Sequence, residues 1–131
     1  MLFRSACPYY DRVNKARIDG NGQVEVLTPE QATHEAYFSK SGRYFVDNYS
    51  RADLEPRSVL RDNKGKVILE LASPDLTRLY EAGWKMPEPF TVKAADGHTD
   101  LYGFMWKPFD FDSTRRYPII SYVYQIGRAH V

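Results

Sequence analysis

Residues Ser73 to Tyr124 read SPDLTRLYEAGWKMPEPFTVKAADGHTDLYGFMWKPFDFDSTRRYPIISYVY. Ser73 can accept a hydrogen bond from a first-turn amide, and Pro74 suits the first helical position, where its missing N–H costs nothing. Asp75 complements the positive end of a helix. Leu76, Leu79 and Tyr80 fall on one face, and Gly83 can end the helix with a left-handed residue. The spacing predicts a helix over 74–82. Pro87 and Pro89 then enforce extended backbone, so Trp84–Pro89 reads as a linker. Phe90–Ala95 and Leu101–Lys107 read as strands joined across Asp96-Gly97. After the polar loop Asp110–Arg116, the run from Tyr117 to Tyr124 is apolar and rich in β-branched residues, the pattern of a strand buried on both faces. The expected whole is the entrance to a large α/β domain whose remainder lies outside these residues.

Toward the N-terminus the pattern changes. Val13–Asp19, Gln23–Thr28, His34–Ser39, Tyr44–Ser50, Ser58–Asp62 and Val67–Ala72 read as short strands. Gly20-Asn21-Gly22, Lys40-Ser41-Gly42-Arg43 and Asn63-Lys64-Gly65 supply the turn chemistry between them. Asp19-x-x-Gly22 and Asp62-x-x-Gly65 recur 43 residues apart, each at a hairpin tip and each followed by a residue and a valine. Propeller blades of four strands recur at about 40–50 residues. The geometry predicts one full blade from His34 to Ala72, preceded by the outer hairpin of another. Two unrelated Asp-x-x-Gly turns would give the same pattern.

The chain has 131 residues, of which 43% are hydrophobic and 27% charged, the balance of an ordinary globular domain. Its net charge is +1, with Lys and Arg scattered, so it has no field to recruit nucleic acid or an anionic membrane surface. Cys7 is the single cysteine, which excludes an intrachain disulfide and a thiolate metal cluster. No cofactor or metal is expected.

The pieces Phe38-Ser39, Gly42-Arg43-Tyr44-Phe45-Val46-Asp47 and Tyr49-Ser50-Arg51 together resemble the last propeller blade of bacterial dipeptidyl peptidase IV-type enzymes. Gly83-Trp84-Lys85, Pro87-Glu88-Pro89-Phe90, Asp96-Gly97 and Asp100-Leu101-Tyr102-Gly103 resemble the crossing into their α/β-hydrolase domain. Arg116-Tyr117-Pro118 and Tyr122-Val123-Tyr124 resemble the strand that ends in their oxyanion loop. The resemblance runs from about Pro8 to Tyr124 and points to that branch of the prolyl oligopeptidase superfamily.

That resemblance implies a mainly β piece, holding the last blade of a propeller and the first strands of a truncated α/β-hydrolase domain. It assigns 1–84 to the propeller with a linker helix at 74–82, and 85–124 to the peptidase domain. The parent it implies is a serine peptidase, often homodimeric, that releases N-terminal dipeptides with proline or alanine second. Relatives are often periplasmic, secreted or membrane-anchored. The Ser, Asp and His of such enzymes follow a G-x-S-x-G elbow, and no G-x-S-x-G occurs in these 131 residues. The isolated chain is therefore expected to be inactive. The family residue that carries over is Tyr124, whose hydroxyl would donate to the oxyanion of the tetrahedral intermediate. The family continues with a glycine-proline loop, whereas Gln125-Ile126-Gly127-Arg128 follows here. A non-catalytic, peptide-binding propeller module is the alternative reading.

Both termini read as foreign. Ile126 to Val131 is what ATC GGA AGA GCA CAC GTC encodes, and Leu2-Phe3-Arg4-Ser5 what CTC TTC CGA TCT encodes, and both resemble common sequencing-adapter reads. Residues 1–5 and the tail 125–131 are accordingly assigned to adapter, and no role is placed on Arg4, Arg128 or His130. Other chemistry-bearing residues read as structural. His98 and Asp100 flank a turn and Ser121 lies on the following strand. His34-Glu35 begins a strand and has no second histidine at ligand spacing. Arg115-Arg116 belongs to a solvated loop, and Tyr9-Tyr10 to a propeller strand.

Overall fold

A computed structural model describes residues 10–19 and 22–122. The protein is mainly β, built from three antiparallel sheets and one short helix among the described residues. β1 (Asn14–Ala16) pairs with β2 (Val24–Val26), Asn14 opposite Val26. β3 (Thr33–Phe38), β4 (Tyr44–Arg51), β5 (Leu54–Asp62) and β6 (Val67–Ala72) form a four-stranded meander in sequence order. The expected strands are therefore present, with β5 starting four residues earlier than the turn chemistry predicts.

Each hairpin of the meander is set by its turn. Ser39 N–H donates to the Tyr44 carbonyl and Gly42 N–H to the Ser39 carbonyl, which places Phe38 opposite Phe45 with their rings 4.9 Å apart. The β4–β5 pairing slips between Tyr49 and Arg51, the local irregularity of a bulge. At the β5–β6 tip, Asp62 Oδ1 accepts the N–H groups of Lys64 and Lys66, both at 2.9 Å. Asp62 thus holds its own turn; in the first Asp-x-x-Gly copy Asp19 pairs with Arg17 at 2.6 Å, and Gly20 and Asn21 lie outside the described residues.

Gly65 in this turn has φ +83, and a Cβ there would sit 2.1 Å from the Leu27 carbonyl oxygen. The segment between β2 and β3 therefore lies directly against the β5–β6 tip. Leu27 N–H donates to the Val13 carbonyl, Thr28 Oγ1 accepts from Val13 N–H, and His34 N–H donates to the Asp11 carbonyl. Leu27 and Ala32 from this segment join Phe45 and Val59 of the sheet as the buried apolar core.

α1 (Thr77–Glu81) is shorter than the predicted 74–82. Leu76 stands at its N-cap position without a side-chain cap, and Asp75 Oδ1, rather than Ser73, accepts the Thr77 N–H at 3.0 Å. An aspartate two residues before an amide closes an Asx turn that a serine four residues away cannot reach. The helix buries none of its residues. Tyr80 Oη donates to Glu55 Oε1 at 3.0 Å, and Gly83 (φ +87) ends the helix beside Phe109. No helix of the described residues is long and apolar enough to cross a membrane.

β7 (Glu88–Lys93) pairs with β8 (Asp100–Met105), Phe90 opposite Gly103. The hairpin begins two residues earlier than predicted, and Glu88 and Pro89 belong to it rather than to a linker. Asp96 Oδ1 accepts the amides of His98 and Thr99, which closes the predicted turn. The expected strand from Tyr117 is a correction: Tyr117–Tyr122 is irregular, and Ile119 and Ile120 are 91% and 94% exposed. A strand exists only through a ladder, and no described strand lies beside this run to accept its backbone.

Candidate functional site

Tyr124, the residue carrying the expected oxyanion role, lies outside the described residues, as do Cys7, Tyr9 and both terminal segments assigned to adapter. Among the described residues, His98, Asp100 and Ser121 share no hydrogen bond. His98 sits in the Asp96 turn, Asp100 pairs with Lys93 Nζ at 2.6 Å, and Ser121 is exposed on the irregular run. Arg115 is held by Asp112 at 3.3 Å in an exposed loop, as expected. Tyr10 lies in irregular backbone, with the Arg51 guanidinium 5.9 Å from its ring centre.

The most developed polar constellation involves His34 and four partners that the local pattern does not single out. β3, β4 and β5 each turn one polar residue inward among apolar neighbours: His34 next to Ala32, Asp47 next to Phe45, and Arg61 next to Val59. The register brings them together. His34 stands opposite Tyr49 and Asp47 opposite Val59, so His34 and Asp47 are diagonal neighbours across β3 and β4.

His34 Nδ1 lies 3.0 Å from both Asp47 carboxylate oxygens, and Nε2 lies 3.1 Å from the Glu30 carbonyl oxygen. Arg61 spreads its guanidinium over three acceptors. Nε donates to Asp47 Oδ2 at 2.8 Å, Nη1 to the Gly65 carbonyl at 3.0 Å and Nη2 to Glu30 Oε1 at 2.9 Å. Tyr49 completes the cluster: its ring stacks on His34 at 5.1 Å, with Arg61 5.8 Å from its centre. Side chains of His34 and Asp47 are wholly buried, and that of Arg61 is 2% exposed. Burial alone would lower the Arg61 pKa, but its hydrogen bonds to Glu30 and Asp47 outweigh that and hold it above its ordinary value.

A histidine on a buried carboxylate is half of an acid–base pair, but this one has no route to a substrate. Its second nitrogen is occupied by a backbone carbonyl, its side chain has no exposure, and among the described residues no hydroxyl or thiol nucleophile is hydrogen-bonded to it. The cluster is a structural tie. It fastens the Glu30 segment, the β5–β6 turn and three strands to one another. The sequence signal for it was the polar residue in the inward phase of three successive strands. On the adjoining sheet surface, Thr33, Glu35, Asn48, Tyr49, Ser50, Pro56, Arg57 and Ser58 line a shallow depression of about 200 Å³. No group of His, Cys, Asp and Glu among the described residues is arranged to hold a metal ion.

No protein-family model matches the chain. Its sequence is similar to that of dipeptidyl peptidase 8. The identity is 27% over 118 residues for both the Mus musculus and the Homo sapiens proteins, taking in 79% of this chain. The chain spans 12% of the length of these relatives. The likeness is distant, and it fits the family resemblance carried by the motifs between Pro8 and Tyr124.

Proposed function

We propose that this chain is part of a serine exopeptidase of the dipeptidyl peptidase IV type. The observation that carries the reading is the similarity to dipeptidyl peptidase 8 over 79% of the chain. It is supported by the order of elements, in which a four-stranded antiparallel meander is followed by a short helix and then a separate hairpin. In this reading the meander is the last propeller blade and residues 1–84 belong to the propeller. Residues 85–124 open the hydrolase domain, and 125–131 are adapter-derived. The parent releases dipeptides with proline or alanine second, from a Ser/Asp/His triad supplied by residues other than these.

Tyr124 is the oxyanion donor in this reading. A phenolic O–H aimed at the tetrahedral oxygen acts on charge that exists only in the transition state, so it raises turnover more than ground-state binding. The test has two arms. This chain alone should not hydrolyse a dipeptide-proline chromogenic substrate, since it lacks an activated nucleophile. A parent gene read past Tyr124 should encode G-x-S-x-G, then Asp and His, and its product should hydrolyse that substrate. In that product, Tyr→Phe at the matching position should lower kcat by about 10²–10³ with a smaller change in KM. Near-normal turnover would leave Tyr124 as a packing residue. A parent without the elbow would favour the peptide-binding module instead, and turnover by this chain alone would overturn the whole assignment.

A further inference from the structure

The tip of the β7–β8 hairpin carries an Asp-Gly bond, Asp96-Gly97. Such a bond has a chemistry of its own. The backbone nitrogen of the glycine can attack the aspartate Cγ. A C–N bond forms, a Cγ–O bond breaks, and that oxygen leaves as water with the amide proton and the carboxyl proton. Water then adds to the succinimide, and opening at the main-chain carbonyl leaves an isoaspartyl link, in which the chain runs through Cγ. Glycine is the least hindered residue to follow the aspartate, and even a Cβ at Gly97 (φ +71) would meet nothing within 4 Å. Asp96 and Gly97 are both exposed, so water reaches the site freely. Among the described residues this is the one Asp-Gly bond complete at both ends.

The hairpin holds both reacting groups. Gly97 N–H donates to the Ala94 carbonyl at 2.9 Å, so the nitrogen that would attack is committed to the turn. Asp96 Oδ1 accepts the N–H groups of His98 at 2.8 Å and Thr99 at 2.9 Å. Thr99 Oγ1–H donates to Asp96 Oδ2 at 2.5 Å. Both carboxylate oxygens are therefore engaged, and two of their three bonds come from Thr99. The Thr99 hydroxyl first, then the amides of Thr99 and His98, hold the Asp96 carboxyl below its ordinary value. An ionised carboxylate has no hydroxyl to lose as water and is a poor target for a nucleophile. The ladder backs the clamp: Ala94 N–H donates to the Thr99 carbonyl at 2.8 Å, and Lys93 stands opposite Asp100.

We infer that Asp96-Gly97 is a latent isoaspartate site, kept closed by the paired hairpin and by the grip of Thr99 on the Asp96 side chain. Attack requires the Gly97 N–H to leave Ala94 and the Asp96 carboxyl to leave Thr99, so the reaction waits on local opening of the tip. Once made, the isoaspartyl link does not fit the turn. It adds one methylene to the main-chain path, and the carbon that bore the two clamped oxygens becomes part of the peptide bond. The Asp96 clamp therefore cannot re-form. The change is covalent and leaves the mass unaltered, and it removes the closing bonds of the β7–β8 ladder.

The experiment ages the 131-residue chain in native buffer and in urea at the same pH and temperature. Isoaspartate at Asp96 is read by peptide mapping with electron-transfer fragmentation, which distinguishes the two isomers. The native chain should isomerise at Asp96 more slowly than the unfolded chain by about tenfold or more, the cost of opening several hydrogen bonds at once. Equal rates in the two conditions overturn the inference. Thr99→Val keeps the branched shape and removes the hydroxyl, whereas Thr99→Ser keeps the hydroxyl. In native buffer Thr99→Val should isomerise faster than the wild type, and Thr99→Ser should stay close to it. Amide protection of Val92 and Leu101 checks that the ladder is still paired in each variant. A paired Thr99→Val chain that isomerises no faster than Thr99→Ser overturns the role of Thr99. Should Thr99→Val lose the ladder, the native-to-unfolded ratio of the wild type decides alone.

Discussion

Asp47 accepts from Arg61 Nε at 2.8 Å and lies 3.0 Å from His34 Nδ1, on a side chain with no exposure. Asp47→Ala removes the anion and leaves the buried Arg61 guanidinium without this carboxylate, a change that typically costs about 3–5 kcal/mol. Asp47→Asn keeps the shape and one acceptor oxygen, so it should fall between alanine and the wild type. Urea denaturation midpoints at constant m-value check the order. Gly65 offers a second test at this scale. Gly65→Ala meets both the left-handed backbone penalty of about 1–2 kcal/mol and the Leu27 backbone, whereas a Cβ on Gly42 (φ +65) meets nothing within 4 Å. Gly65→Ala should therefore destabilise the chain more than Gly42→Ala in the same denaturation assay. The need for glycine at the Asn63-Lys64-Gly65 tip was legible as turn chemistry. The Leu27 contact was not, because it joins residues 38 apart in sequence. The His34 cluster escaped for the same reason: Asp47 and Arg61 become its neighbours only through strand register, which no local window contains.

The β5–β6 tip is a titratable element. The N–H groups of Lys64 and Lys66 hold the Asp62 carboxyl below its ordinary value, with the two lysine charges adding to the effect. A folded-state value below the unfolded one contributes stability that is present above the unfolded value. That contribution disappears as pH falls through the folded value. Acidification should therefore lower the protection of the Lys64 and Lys66 amides relative to their intrinsic exchange rates. Asp62→Asn, which keeps an oxygen acceptor but has no proton to gain, should remove that acid dependence. Hydrogen exchange followed by mass spectrometry against pH reads both. The hairpins were legible because Gly, Asn and Asp stand where a turn needs them and the residue alternation sets the faces. The run Tyr117–Tyr122 shows the limit of that reasoning. Its composition is that of a buried strand, but composition states only what a segment suits, and a ladder requires a neighbour. The helix was legible in existence and in its Gly83 end. Its start was set by the nearer of two candidate caps, Asp75 over Ser73.

Across the whole molecule, order is concentrated where β3 to β6 meet the Leu27–Ala32 segment. Among the described residues, buried Leu27, Ala32, Phe45 and Val59 are there, while α1 buries nothing and β7–β8 exposes Phe90, Val92, Leu101, Tyr102 and Met105. Local opening should follow that distribution. Brief trypsin digestion should cut after Lys85 and Arg116, which are exposed in irregular backbone, well before Arg61. Mass spectrometry of the early fragments checks it, and early cleavage after Arg61 would contradict the placement of the core. The meander also has a kinetic meaning. Its tips close loops of a few residues, the His34–Asp47 bond spans 13, and the Glu30–Arg61 bond spans 31. Loop-closure entropy rises with span, so the short tips can form early and the Glu30 bond closes late. Substitution at Glu30 should then quicken unfolding and leave the refolding rate nearly unchanged, while substitution at Asp62 slows refolding. The Glu30–Arg61 tie would thus act as a latch on the sheet's lifetime, not as a seed for its formation.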